Sequence, residues 1–564
     1  MPLPKFALLF LLLVCGALTL AAQDRSYGRS VVATKYGIVA TSQMQASQAG
    51  ARMLERGGSA IDAAIAANAV LGVVEPMMNG IGGDLFAIYW DAKTGKLYGL
   101  NASGWAPQAL TIEHLHSKGM TAMPQSGIDS VTVPGAVDGW AKLHGRWGRL
   151  LWSDLFQPAI FYAEHGFPVP EIVDDVWQTS EHALMQNPQS RRVFLTNDKA
   201  PERGQMFQNP ELAHALSLIA RQGESAYYKG PIAQAILKTS SDLGGTMTTD
   251  DLASYAAEWV EPIHVTYRDW TVYELPPNGD GMAALEMLNI MEQFKPDPAG
   301  PHSPGEVHTR IEAMKLAYAD VKAYDGDPRF SKIPVEQLLA KEYAAKRASL
   351  INPAHANCAV APGALPRSDT TYLTVVDRDG NILSMIQSNY SSFGSGVTVE
   401  GMGFALQNRG GLFSLDSQSP NALTGRKRPF HTIIPAFMER GDEHIGFGIM
   451  GGMNQPLAHA QFVSNLVDYH MNIQAALEEP RFTVSPKLGC NIVIESRVTP
   501  ATIDTLTKKG HVLDVHKEYT ERMGRGNVVL HNSATGINFG ASDPRADGMA
   551  IPEQPDFFST SSQR

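Results

Sequence analysis

The sequence predicts an α+β fold on three observations: an Ala-rich pair of helical patterns near residues 45–73, a long helical stretch at 136–237, and an abrupt strand-turn-strand pattern after residue 369. Its 564 residues, 44% of them hydrophobic and 18% charged, are enough to bury more than one layer of core. Ser42 is placed to cap a helix over 45–56, which Gly57-Gly58 ends, and Ser59 opens an Ala-rich helix over 60–73 that stops at Glu75-Pro76. Apolar runs at 85–89, 97–100 and 270–275 read as strands, and the last leads through Pro276-Pro277-Asn278-Gly279 into a helix over 283–294. Residues 352–369 carry Pro353, Pro362 and Pro366 without periodicity and read as an exposed loop, a setting that tolerates cleavage.

The N-terminus reads as a secretory signal peptide over residues 1–22. Lys5 precedes the apolar run 6–14, and Leu18-Thr19-Leu20-Ala21-Ala22 ends in small residues before polar Gln23-Asp24-Arg25. A membrane anchor is the alternative, but the run is short for a span and contains Gly16; a lipid on Cys15 is disfavoured by Val14 before it. The mature chain is therefore expected to be exported, periplasmic or secreted, without stable membrane insertion once the signal is removed. A formal charge of -11 and the absence of a Lys/Arg block argue against nucleic acid as a partner. Cys358 and Cys490 remain after processing, and both one disulfide and two free thiols stay open.

Chemistry concentrates where the pattern changes. If the Asp369-Thr370 bond is cut, Thr370 carries a hydroxyl nucleophile and a free α-amine on one residue, and an amine with a pKa near ~8 can take the hydroxyl proton. Asp379-Gly380 reads as a two-residue hairpin turn, which would pair Arg378 with Asn381, Thr371 with Ser388 and Thr370 with Asn389. Ser388 would then reach the nucleophile, and Asn389 or Tyr390 could orient a bound acyl group. Thr also favours strands, so composition alone leaves these as ordinary strand residues. Gly451-Gly452 follows a strand-like run at 445–450 and precedes a helical pattern at 457–468, a turn whose backbone N–H groups can form an oxyanion hole.

From residue 37 to 548 the chain resembles the gamma-glutamyltranspeptidase family of N-terminal-nucleophile hydrolases. The motifs are Ala46-Ser47-Gln48-Ala49-Gly50, Gly57-Gly58-Ser59-Ala60-Ile61-Asp62-Ala63-Ala64, Val74-Glu75-Pro76, Gly80-Ile81-Gly82-Gly83, Val133-Pro134-Gly135, Glu312-Ala313-Met314-Lys315, Ala319-Asp320, Gly326-Asp327-Pro328 and Ala541-Ser542-Asp543-Pro544-Arg545. The resemblance implies a four-layer αββα sandwich and a precursor split into a large chain, 23–369, and a small chain, 370–564. The two would stay packed together, because a lone hairpin needs partner strands. It also implies a small-molecule amide substrate, no cofactor and no metal, with Thr370, Ser388, Gly451 and Gly452 catalytic and Asp369-Thr370 the cleavage site. Departures fall where the family holds the glutamyl α-carboxylate and α-amine. Ser103 in Asn101-Ala102-Ser103-Gly104-Trp105-Ala106-Pro107 replaces an Arg, Gln407-Asn408-Arg409-Gly410-Gly411-Leu412-Phe413 lacks the acid, and His431-Thr432 replaces a Ser pair. Ser103, Arg409, His431 and Thr432, with Asn389 and Tyr390 from the hairpin, are the candidate substrate-binding residues. The pattern resembles the cephalosporin-acylase-like branch, whose acyl group need not be γ-glutamyl.

Rival signals are weaker. Gly279-Asp280-Gly281-Met282-Ala283-Ala284 with Asp297 downstream mimics a dinucleotide fingerprint, but its double proline makes the tight turn awkward. His114-Leu115-His116 lacks an accompanying zinc motif, and no Gly-x-Ser-x-Gly elbow occurs. An exported binding protein that kept the fold and lost the chemistry is the remaining alternative, and self-cleavage discriminates it.

Overall fold

Two seven-stranded antiparallel sheets face each other. In the computed structural model, which describes residues 27–359, 369–485 and 489–557, the first sheet runs in the order Met549–Pro552, Ile38–Thr41, Asp369–Val376, Ile382–Tyr390, Asp84–Asp91, Lys96–Ala102 and Glu258–Val260. The second runs Val32–Thr34, Ile537–Ser542, Arg525–Asn532, Glu443–Met450, Ala436–Arg440, Trp270–Glu274 and Ile263–Tyr267.

Strand alternation builds the layers. Along Asp369–Val376, Tyr372 and Val376 enter a core between the sheets with Phe86, Ile386, Phe437 and Val529. Leu373 and Val375 point the other way, into a core shared with the helices Met44–Glu55 and Ala60–Val74. On the outer face of the second sheet, Val272, Phe447 and Ile449 pack with residues of Gly281–Met291, Pro304–Tyr324 and Gln455–Val467. Three apolar seams between four layers make the αββα sandwich. Strands that begin and end the chain, and strands on both sides of residue 369, interleave in both sheets.

The Ser59 cap is present as a capping box with Asp62. Ser42 is not a cap: Gln43 holds that position, while the Ser42 hydroxyl donates to Glu75 at 2.5 Å. The hairpin register differs by one residue from the two-residue turn. Thr371 pairs with Gln387 and Val376 with Ile382, which leaves the three residues Arg378-Asp379-Gly380 in the turn beyond Asp377 and Asn381. The Asp377 carboxylate accepts from the Asp379 and Asn381 N–H groups, both at 3.0 Å, and Gly380 takes the left-handed conformation (φ 82°) that a three-residue loop requires.

Cys358 and Cys490 form a disulfide, with Cα atoms 4.9 Å apart. Nearby, Lys315 donates to Glu312 at 2.7 Å and to the Asn357 carbonyl at 3.2 Å, and His308 bonds His511 at 2.8 Å. These buried groups anchor the chain just ahead of the disulfide.

The strand Trp270–Glu274 is antiparallel to both neighbours, so the glycines at 279 and 281 do not belong to a parallel β-α-β unit. His114 lies 3.5 Å from Asp129 while His116 is exposed. The proposed signal peptide and residues 360–368 lie outside the described residues. Among the described residues, no helix is long and apolar enough to cross a membrane.

Candidate active site

Thr370 sits one residue into its strand, fully buried, on the face turned toward the second sheet. Continuing the register of residues 371–376 sets Thr370 opposite Ser388, where the ladder carries an irregularity between Asp369 and Thr371. The Thr370 hydroxyl donates to Ser388 Oγ at 3.1 Å, and Ser388 Oγ also accepts the Tyr390 N–H at 2.7 Å. The one-residue change in register thus makes Thr370 and Ser388 direct cross-strand neighbours.

Glycines in the second sheet let it approach this strand. A Cβ on Gly446 would stand 2.8 Å from Thr374 Oγ1, and one on Gly448 would stand 2.4 Å from the Tyr372 ring. The same two-residue step leads from Gly448 to Met450 and from Tyr372 to Thr370, so the Gly451-Gly452 turn leaves its strand at the Thr370 end. Gly451 and Gly452 have φ of 140° and 59°, in the region that favours glycine. Arg525, paired with Met450, donates to Glu75 at 3.0 Å; burial pushes the Glu75 carboxyl up to about 7.

A second polar cluster adjoins the first through Tyr390. The Arg409 guanidinium lies over the Tyr390 ring, 4.5 Å from its centroid, and donates from Nη1 to Thr432 Oγ1 at 2.9 Å. His431 bonds Asp84 at 2.7 Å, and Asp84 also accepts from Gln407 Nε2 at 2.7 Å and the Gly104 N–H at 2.8 Å. Arg409 Nε stands 3.8 Å from the same carboxylate. Burial pulls the His431 imidazole down to about 4, so it is neutral at neutral pH, and pulls Arg409 down to about 10.

Four of the six predicted binding residues, Tyr390, Arg409, His431 and Thr432, are therefore brought together. Ser103 touches them only indirectly: its hydroxyl donates to Asn101 at 2.7 Å and accepts from Asn278 at 3.3 Å, and the Asn278 carbonyl accepts the His431 N–H at 2.7 Å. Asn389 lies on the opposite face of its strand from Ser388 and Tyr390, with its amide toward Gly80 and Gly83. Asp84 escaped the sequence reading, although an acid opening the otherwise apolar run Leu85-Phe86-Ala87-Ile88 was a usable signal. Asp280 was read only as part of the dinucleotide mimic. Its carboxyl is fully buried, and burial raises its pKa well above the ordinary carboxylate value.

The gamma-glutamyltranspeptidase family model matches residues 46–553. The glutathione hydrolase-like YwrD proenzyme of Bacillus subtilis is 39% identical over 93% of this chain and 99% of its own length. The oxamate amidohydrolase proenzyme of Klebsiella pneumoniae is 33% identical, over 91% of this chain and 98% of its own. Among solved structures, a cephalosporin acylase from Bacillus halodurans superposes with a TM-score of 0.88 at 40% identity, covering 95% of this chain and 99% of that one.

Proposed function

Because the chain belongs to the gamma-glutamyltranspeptidase family, we propose that it is an exported, self-processing amidohydrolase that cleaves a small acyl amide through an ester on Thr370. The observation that carries this reading is the buried Thr370-Ser388 hydroxyl pair at the start of a strand, beside a glycine turn with left-handed backbone.

In the uncut chain the Thr370 hydroxyl is next to the Asp369 carbonyl. Its attack there moves the acyl bond from nitrogen to oxygen, and water hydrolyses the ester to leave a large chain ending at Asp369 and a small chain beginning with a free Thr370 amine. In turnover that amine takes the Thr370 hydroxyl proton as the oxygen attacks the substrate carbonyl. Backbone N–H groups at Gly451 and Gly452 hold the oxyanion, and the protonated amine returns its proton to the leaving nitrogen. Water, or a second amine, then takes the acyl group. Ser388 holds the hydroxyl in place. The names of relatives, which include glutathione hydrolase-like, oxamate amidohydrolase and cephalosporin acylase, support amide hydrolysis without fixing the acyl group.

A degenerate binding protein is disfavoured because the hydroxyl pair and both glycines are retained. Rapid quench of the purified enzyme with an anilide substrate, followed by mass analysis, should find an acyl group on the N-terminal residue of the small chain. Turnover without any adduct on Thr370, or undiminished turnover in Thr370→Ala, would refute the assignment.

A further inference from the structure

Away from the Thr370 site, three metal-ligating side chains converge in the layer outside the second sheet: His308, Glu312 and His511, all buried, with ligand atoms within 4.8 Å of one another. His308 and Glu312 lie four residues apart on the helix Pro304–Tyr324, about one turn, and so share a face; His511 comes from the residue before the strand Val512–His516. His308 Nε2 stands 2.8 Å from the Asn352 carbonyl, which only accepts, so that nitrogen carries the hydrogen and Nδ1 presents a lone pair. The lone pair faces His511 Nε2 at 2.8 Å, and Glu312 Oε1 lies 4.0 Å from the same Nε2. His511 Nδ1 has no hydrogen-bond partner among the described residues, so this ring can carry its hydrogen there and bare Nε2 at the cost of the His308 contact alone. Outer partners of the kind that fix metal-binding side chains are also in place. The Asn352 carbonyl holds His308, and the Asn357 N–H donates to Glu312 Oε2 at 3.1 Å.

We propose that His308 Nδ1, His511 Nε2 and a Glu312 oxygen bind one divalent transition-metal ion, zinc by its donor set, with water in the fourth position. Two imidazoles and a carboxylate are ligands that zinc takes. Tetrahedral ligands at about 2.1 Å stand roughly 3.4 Å apart, so the two nitrogens open and the carboxylate closes by only about 0.6 Å each. The competitor is Lys315, whose Nζ donates to Glu312 Oε1 at 2.7 Å and to the Asn357 carbonyl at 3.2 Å. A dication displaces that ammonium from Glu312 and is repelled by it, which holds the affinity below that of the same site without the lysine. The family resemblance implies no metal, so these residues alone carry the proposal. On the cleavage reading above, His308 and Glu312 belong to the large chain and His511 to the small one. The ion then ties the two chains beside the Cys358–Cys490 disulfide, whose Cys490 sulfur lies 3.8 Å from Lys315 Nζ.

Zinc(II), with cobalt(II) as a spectroscopic probe, tests the site in the full protein with its disulfide intact and no affinity tag. Binding is read after long equilibration, since buried donors are reached through local opening. The wild type should take one equivalent of cobalt with the visible absorption of a tetrahedral ion, and zinc should displace it and raise the melting temperature. His511→Gln should weaken zinc at least about 100-fold, more than the loss of an outer partner costs, and remove the melting shift. Lys315→Met, which takes away the competing cation, should tighten zinc about 10-fold, and it serves if His511→Gln fails to fold. No stoichiometric binding in the wild type, binding that survives His511→Gln, or no tightening in Lys315→Met would overturn the proposal. Thr370→Ala should bind zinc as the wild type does, so failed self-cleavage would sink the catalytic reading alone.

Discussion

Two buried arginine clusters in this molecule look alike in composition and differ in how far they are satisfied. In one, Arg545 donates to both Glu495 oxygens at 2.8 and 2.7 Å, to Asp543 at 3.0 Å and to the Leu477 and Glu479 carbonyls, each at 3.2 Å. Arg481 beside it donates to Asp543 at 2.6 Å and to the carbonyls of Met523, Gly524 and Leu477. In the other, Arg409 spends one donor on a hydroxyl. Titration separates them only in part, since against the pull of burial Asp543 and Glu495 raise Arg545 above its ordinary value. Burial pulls both Arg409 and Arg481 to about 10, helped at Arg481 by the Arg545 charge alongside. Hydrogen-bond completeness does separate them: the first cluster is a staple of the fold, whereas Arg409 keeps two nitrogens without a hydrogen-bond partner among the described residues.

The largest expected effect breaks the staple. Arg545→Met leaves Glu495 and Asp543 without their main partner and should cost about 3–5 kcal/mol, read as a fall in denaturation midpoint. Arg409→Met should cost under about 1 kcal/mol by the same assay, since little but Thr432 is left unpaired. If the two losses are equal, or reversed, the distinction fails.

Changing the reaction centre without touching either arginine sharpens the contrast. Gly452→Ala puts a side chain at φ 59° and shifts the backbone N–H that faces the proposed oxyanion. Turnover should fall about 100-fold while the melting temperature moves by only a few degrees.

A smaller effect concerns acid. His459 accepts the Ile449 N–H at 3.0 Å and bonds Glu274 at 2.8 Å, just before the glycine turn, and burial pulls it down to about 3. An unfolded histidine binds its proton near 6.5, so the folded state binds fewer protons between those values, and the stability His459 contributes is lost as pH falls from about 6.5 toward 3. His459→Gln should flatten that acid limb; an unchanged slope would contradict the neutral assignment.

The smallest perturbation is reduction. Since Cys358 and Cys490 lie on opposite sides of residue 369, the processed protein should run as one band without reductant and as two with it.

What the sequence made legible was local. The Ser59 helix start, the helix pair and the strands around residues 370 and 388 are set by neighbours within a few positions, and each is found where its pattern placed it. The turn was misjudged by one residue because Asp377 closes it with its own side chain, a choice that Asp379-Gly380 does not announce. The Arg409 cluster was half visible: Arg409, His431 and Thr432 stood out as departures from a pattern, and Tyr390 by its place in the hairpin. Asp84 did not, because its role depends on residues 104, 407 and 431 converging from three distant segments. Ser103 drew attention by alignment to a motif and Asn389 by a hairpin register that is one residue off, and burial and strand direction turn both side chains elsewhere.

The central claim is that Thr370 becomes an N-terminus and then the nucleophile. Intact mass and N-terminal sequencing of the purified protein, wild type beside Thr370→Ala, test it most directly. The account predicts two chains in the wild type, the smaller beginning at Thr370, and one uncut chain in the variant. A wild type that remains a single chain, with Asp369 still joined to Thr370, would mean that the catalytic amine never forms and would contradict the account.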